Sequence, residues 1–123
     1  MTEQSGDRFA AGVDLFNAGR FFEAHEAWEQ VWLRSTGNEK IGIQGLIQAA
    51  AAILHLERGN REGAYSLYEK ACDKLVMLPQ TYRELDIGEL KGALKEFFDA
   101  ASAAPRGSLP PRPKLRRINS TPD

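Results

Sequence analysis

The stretch Ile41–Asn60, IGIQGLIQAAAAILHLERGN, decides the fold. Its apolar residues keep to no single stripe: Ile43, Leu46, Ile47, Ile53, Leu54 and Leu56 point in most directions around a helix of 3.6 residues per turn. Such a helix is enclosed by others. It nevertheless carries Gln44, Gln48 and His55, and a step of about 100° per residue sets these three on one side with Ala51 between them. A polar line on the most enclosed helix calls for partners, because buried polar groups cost free energy unless they are hydrogen-bonded.

The flanking segments read as helices of ordinary amphipathic pattern. Asp7–Ala18 carries Phe9, Val13 and Phe16 at helical spacing, with Asp7 as N-cap and a frayed polar start before it. Gly19 ends that helix. Arg20–Arg34 follows, with Phe21, Phe22, Trp28 and Trp32 on its inner face. After the central helix, Gly59-Asn60 turns the chain into Arg61–Leu78, whose stripe is Tyr65, Tyr68, Cys72, Leu75 and Val76, with Pro79 as the stop. Asp86 caps a fifth helix to about Ala103, carrying Ile87, Leu90, Leu94, Phe97, Phe98 and Ala101. No segment shows strand alternation. The expected fold is all-α: a compact five-helix bundle of antiparallel helical hairpins, organised as one domain (residues 1–104) and a tail (105–123).

A weak internal repeat supports the hairpins. Setting Gly19 against Gly59 also pairs Ala24 with Ala64, Trp28 with Tyr68 and Glu29 with Glu69. The pattern is similar to a tetratricopeptide helix pair, but two copies do not make a solenoid.

Composition narrows the class. Of 123 residues, 42% are hydrophobic and 27% charged, as in a soluble globular chain. No run reaches the roughly 18 apolar residues of a membrane span, and the N-terminus lacks the order of a signal peptide, so a cytoplasmic protein is expected. Cys72 is the single cysteine, which excludes an internal disulfide and a cysteine-rich zinc site; on an apolar stripe it reads as core. The net charge of −1 hides an asymmetry, since Pro105–Asp123 carries +4 and the remainder −5. An acidic body argues against nucleic acid as the main partner. The tail, rich in proline and arginine, is expected to be disordered or extended and mobile, with Leu109, Leu115 and Ile118 able to dock it.

The chemistry, if any, lies on the inner faces. His25 and Glu29 sit one turn apart and point with Phe21, Trp28 and Trp32, with Glu26 at the margin. If the second and third helices pack antiparallel, His25, Glu26 and Glu29 meet Gln44, Gln48 and His55. Three readings follow: a structural hydrogen-bond network; a divalent transition-metal site on His25, Glu29 and His55, with Glu26 as a further ligand; or acid–base chemistry by a buried glutamate paired with histidine. The spacing matches neither H-E-x-x-H nor the Glu-x-x-His of di-iron bundles. Whether the chain is an enzyme is left open by the residues, as is a protein partner or a homo-oligomer.

The words F-N-x-G-x-F-x-E-A-H-E-x-x-E-x-x-W at Phe16–Trp32, Q-G-L-I-Q-x-A at Gln44–Ala50, then His55, Gly59-Asn60 and Gly63-Ala64, resemble the domain of unknown function 309 family, over about Phe9 to Leu78. The resemblance implies a small all-helical bundle of bacterial, archaeal and plastid proteins with no assigned activity. Its signature polar residues fall on Glu23, His25, Glu26, Glu29, Gln44, Gln48 and His55. The favoured expectation is thus a small cytoplasmic binding or scaffold module with a buried His/Glu/Gln network, against a metal-binding alternative at His25, Glu26, Glu29 and His55.

Overall fold

The structure is a computed structural model that describes residues 3–105 and 107–118, with side chains from Arg8 onward. Five helices carry the fold: α1 (Glu3–Asn17), α2 (Phe21–Trp32), α3 (Gly37–Glu57), α4 (Arg61–Leu75) and α5 (Ile87–Ala103). Between α4 and α5 lies a two-stranded antiparallel hairpin, β1 (Thr81–Tyr82) and β2 (Leu85–Asp86). The all-helical expectation holds apart from this hairpin. Of the frayed start expected at Met1–Gly6, Met1 and Thr2 lie outside the described residues; from Glu3 the chain is helical, so Asp7 does not cap α1.

The α1–α2 and α3–α4 turns share one construction. Gly19 and Gly59 take the left-handed conformation, with φ of 81° and 85°. At the first turn Arg20 N–H donates to the Leu15 carbonyl (2.8 Å) and Gly19 N–H to Phe16 (2.9 Å). At the second, Asn60 N–H donates to His55 (2.9 Å) and Gly59 N–H to Leu56 (3.1 Å). Both are Schellman closures. Forty residues apart, they give the sequence repeat a structural meaning, and its paired Ala24 and Ala64 are both fully buried.

Each helix packs on its neighbours in chain order, and α3 lies between α2 and α4. Its buried set includes Ile43, Leu46, Ile47, Ile53 and Leu56. Small residues let α4 come close. A Cβ on Gly42 would stand 2.3 Å from Leu78 Cγ, and one on Gly45 would stand 3.0 Å from the Leu75 backbone nitrogen. Leu78 reaches that slot because the chain leaves α4 at Leu75, ahead of the expected Leu78. Met77 N–H then donates to Lys74 and Leu78 N–H to Leu75, tightening the last turn. On the other side, Trp28 is wholly buried and its indole donates to the Phe9 carbonyl at 3.1 Å. Phe16 meets Phe21 edge to face at 5.0 Å, and Tyr68 stacks on Phe98 at 4.4 Å.

Helical spacing misplaced some side chains. Phe22 is 53% exposed and Val76 59% exposed, since each lies one position beyond the arc its neighbours cover. The hairpin went unseen because its turn residues are Arg83 and Glu84, both at positive φ (48° and 68°) where glycine or asparagine is usual. Tertiary contacts hold them there. The Arg83 guanidinium lies 5.2 Å from the Phe9 ring centre, and Tyr82 donates its phenol proton to Glu39. At the far side of the hairpin, Asp86 accepts from Glu89 N–H at 2.9 Å and caps α5 as expected.

The tail is extended, and residues 107–118 are docked against the body; Arg106 and residues 119–123 lie outside the described set. Leu115 is buried whereas Leu109 stays exposed. Leu85 forms a bridge with Arg117, and Asp86 N–H donates to the Arg116 carbonyl at 3.1 Å. The extended course expected of the tail holds for the described residues.

Two glycines in helices separate packing from propensity. A Cβ on Gly12 would lie 2.2 Å from Trp28 Nε1, while one on Gly92 meets nothing within 4 Å. Chemical denaturation should find Gly12→Ala destabilised by about 1–3 kcal/mol and Gly92→Ala stabilised by about 0.5–1 kcal/mol. Equal effects would contradict the packing.

Two phenols are held protonated. Burial, reinforced by the neighbouring Cys72 side chain, pushes Tyr68 up to about 12; burial and the hydrogen bond to Glu39 raise Tyr82 as well. Since the unfolded chain loses these protons near pH 10, folding stability is full below about pH 10 and falls as pH rises toward the folded values. Ultraviolet titration should show tyrosinate still forming above about pH 11, and Tyr82→Phe should lessen the alkaline loss of thermal stability. Completion of all three phenols near pH 10 would contradict these environments.

Candidate functional site

The polar residues of α2 and α3 line a seam between the two helices. On α3, Ile41, Gln44, Gln48, Ala51 and His55 recur at spacings of four and three, and this is the stripe that escapes full burial. On α2, His25, Glu29 and Trp32 follow the same rule. Lys40 Nζ sits 4.2 Å from the Trp32 ring centre and links the two helices.

His25 is half-buried. Its ring stacks with Phe22 (centres 6.3 Å apart, planes at 19°), and its Nε2 lies 3.9 Å from Glu29 Oε2. That distance is an ion-pair contact, too long for a hydrogen bond. His25 Nδ1 is buried and has no hydrogen-bond partner; Gln48 Oε1 is in the same condition. The first is a ring nitrogen able to donate, on α2, and the second an amide oxygen that accepts, on α3. Glu29 is 52% exposed and Glu26 is exposed, whereas Glu23 is drawn sideways into a two-point ion pair with Arg20. Glu29 therefore lies on the solvent side of the seam and not on the inner face that helical spacing assigned to it.

His55 belongs to a different place. There it serves the α3–α4 turn. Asn60 Oδ1 accepts from Gly63 N–H at 3.1 Å, which turns the amide nitrogen toward His55 Nδ1 at 3.0 Å. The amide donates, so Nδ1 accepts and the ring carries its proton on Nε2. Asn60 thus caps α4, and its second role as a latch on His55 is visible only in three dimensions.

Of the residues expected at a site, His25 contacts Glu29 and His55 contacts Asn60, while Gln44 and Gln48 lie on the α3 stripe that is not fully buried. Among the described residues, no group of three or more His, Cys, Asp or Glu side chains is placed to hold a metal ion. Cys72 is half-buried against Tyr68. Two residues with functional contacts escaped the sequence reading: Lys40, which pins Trp32, and Asn17, which grips the tail. Neither has a periodic signature.

Residues 9–67 match the family described as "Domain of unknown function (DUF309)". An "Uncharacterized protein" of Aquifex aeolicus (strain VF5) is 32% identical over 84 residues, which are 68% of this chain and 25% of the relative. The chain thus spans about a quarter of the length of the curated relative it matches. No helix among the described residues is long and apolar enough to cross a membrane. Over residues 9–67, which hold both α2 and α3, the chain matches the DUF309 family.

Proposed function

We propose that the chain is a cytoplasmic protein-binding module whose recognition face is the α2–α3 seam. The observation that carries this reading is the pair of buried, unpartnered polar atoms, His25 Nδ1 and Gln48 Oε1. An unmade hydrogen bond at each costs roughly 1–3 kcal/mol. A stable fold tolerates that cost where a partner satisfies the groups on binding. The surroundings describe the partner. Glu26 and Glu29 present acid along the seam. Exposed Phe22 stands at one end, and exposed Leu33 and Ile41 at the other. A segment with basic or donor groups at its centre and apolar residues at its ends has the matching chemistry. The matched quarter of the longer Aquifex aeolicus relative is in keeping with a module carried beside other sequence.

If the seam is held open for a partner, filling it with apolar bulk should stabilise the free protein. Gln48→Met should raise the unfolding free energy by about 0.5–2 kcal/mol, read by urea denaturation. A loss of similar size would mean that Gln48 is structural.

Site-specific photo-crosslinking in cells tests the face itself. A photoreactive residue at Phe22 or at Leu33 should give the same discrete adduct, and Glu29→Arg should abolish it. The same residue at Lys95, on the exposed side of α5, should give none. Adducts indifferent to position would overturn the reading. Stoichiometric metal in tag-free protein, lost in His25→Ala, would replace it with the metal-binding alternative at His25, Glu26, Glu29 and His55.

A further inference from the structure

Residues 107–118, GSLPPRPKLRRI, hold three prolines. Proline fixes φ and favours an extended chain without internal hydrogen bonds. Such a chain presents its peptide groups outward, and the body meets them. Asn17 binds Leu115 at two points: its Nδ2 donates to the Leu115 carbonyl at 3.0 Å, and its Oδ1 accepts from Leu115 N–H at 2.7 Å. An amide side chain paired in this way reads extended backbone and not a side chain. Farther along, the Glu84 carbonyl accepts from Ile118 N–H at 2.6 Å, and the hairpin edge continues the grip.

Side chains supply the selectivity. Leu115 and Pro113 are buried, the first among core residues. Four acidic residues of the body receive the basic ones: Glu57 takes Arg112 (2.6 Å), Asp86 and Glu89 take Arg116 (3.1 and 2.5 Å), and Asp14 takes Arg117 (3.2 Å). These acids come from α1, α3, β2 and α5, so the acidic lining is a property of the folded trough. The fit is incomplete. Clefts of about 380, 340 and 310 Å³ lie along the segment, bounded on one side by Gly107–Leu109, Pro110–Pro113 and Arg117 respectively. The arginines of these pairs stay about half exposed, and pairs so open to water contribute little. The segment is specific in its contacts and weakly held.

We infer that this trough, running from Glu57 past Asn17 to the hairpin edge, is a receptor for extended basic peptide segments, and that residues 107–118 occupy it as a tethered ligand. A partner segment with a leucine flanked by basic residues and preceded by proline makes the same contacts. It enters when the tether leaves. Tethering gives the chain's own segment an effective concentration in the millimolar range, so the intact protein binds a free competitor poorly.

The test is fluorescence anisotropy with a labelled peptide of residues 107–118 and full-length protein. Leu115→Asp, Arg116→Glu and Arg117→Glu together release the tether and leave the trough unaltered. The peptide should bind this variant at least about tenfold more tightly than the wild-type chain, and adding Asn17→Ala should remove the gain. Equal binding to both chains, or equal binding of a scrambled peptide, would overturn the inference. If the released variant loses thermal stability, saturating peptide should restore it, and no restoration would overturn the inference as well.

Discussion

Helix α3 has two neighbours and must satisfy both, and the rest of the molecule follows from that constraint. On the α4 side it gives up side-chain volume: Gly42 and Gly45 admit Leu78 and the backbone at Leu75. On the remaining buried arcs it supplies bulk through Ile43, Leu46, Ile47 and Ile53, each worth about 1.5–3 kcal/mol when buried. One stripe is left over, Ile41-Gln44-Gln48-Ala51-His55, and it can be neither fully enclosed nor fully solvated. The polar residues collect there because it is the one part of α3 where water or a partner can reach them.

The near-identical closures at Gly19 and Gly59 make the molecule a short run of hairpins, and such a run has two unprotected ends. Here α1 begins the series and α5 ends it. The docked segment 107–118 reaches both: Arg117 pairs with Asp14 on α1, and Arg116 pairs with Glu89 on α5. Asn17, at the last position of α1, binds Leu115 at the midpoint. The tail thus ties the first helix to the last, and its positive charge answers acids contributed by four elements.

Much of this was legible in one dimension. The all-round apolar character of Ile41–Leu56 located the spine, the two Gly turns located the hairpins, and Asp86 located the start of α5. Rotation about a helix is written in the period of 3.6, but height along a neighbouring helix is not. For that reason His25 and His55 both read as inward and convergent, whereas the contacts they make are with Glu29 on α2 and with Asn60 at the α3–α4 turn. The hairpin was invisible because Arg83 and Glu84 occupy positive φ through contacts with Phe9, Tyr82 and the tail, not through their own preference. Asn17 stands in the F-N-x-G word, but nothing in that word says what it binds. An asparagine near a helix end reads as a cap or a turn, and its partner lies 98 residues away.

Native-state hydrogen exchange tests the central role of α3 most directly. If α3 is the shared element, amides from Ile43 to Ile53 open only when the whole domain unfolds, so their exchange free energy equals the global unfolding value. Those of α1, α5 and the docked tail open at lower cost. An α3 that exchanges more readily than α1 or α5 would contradict the account, because a helix held from both sides cannot be the first to let go.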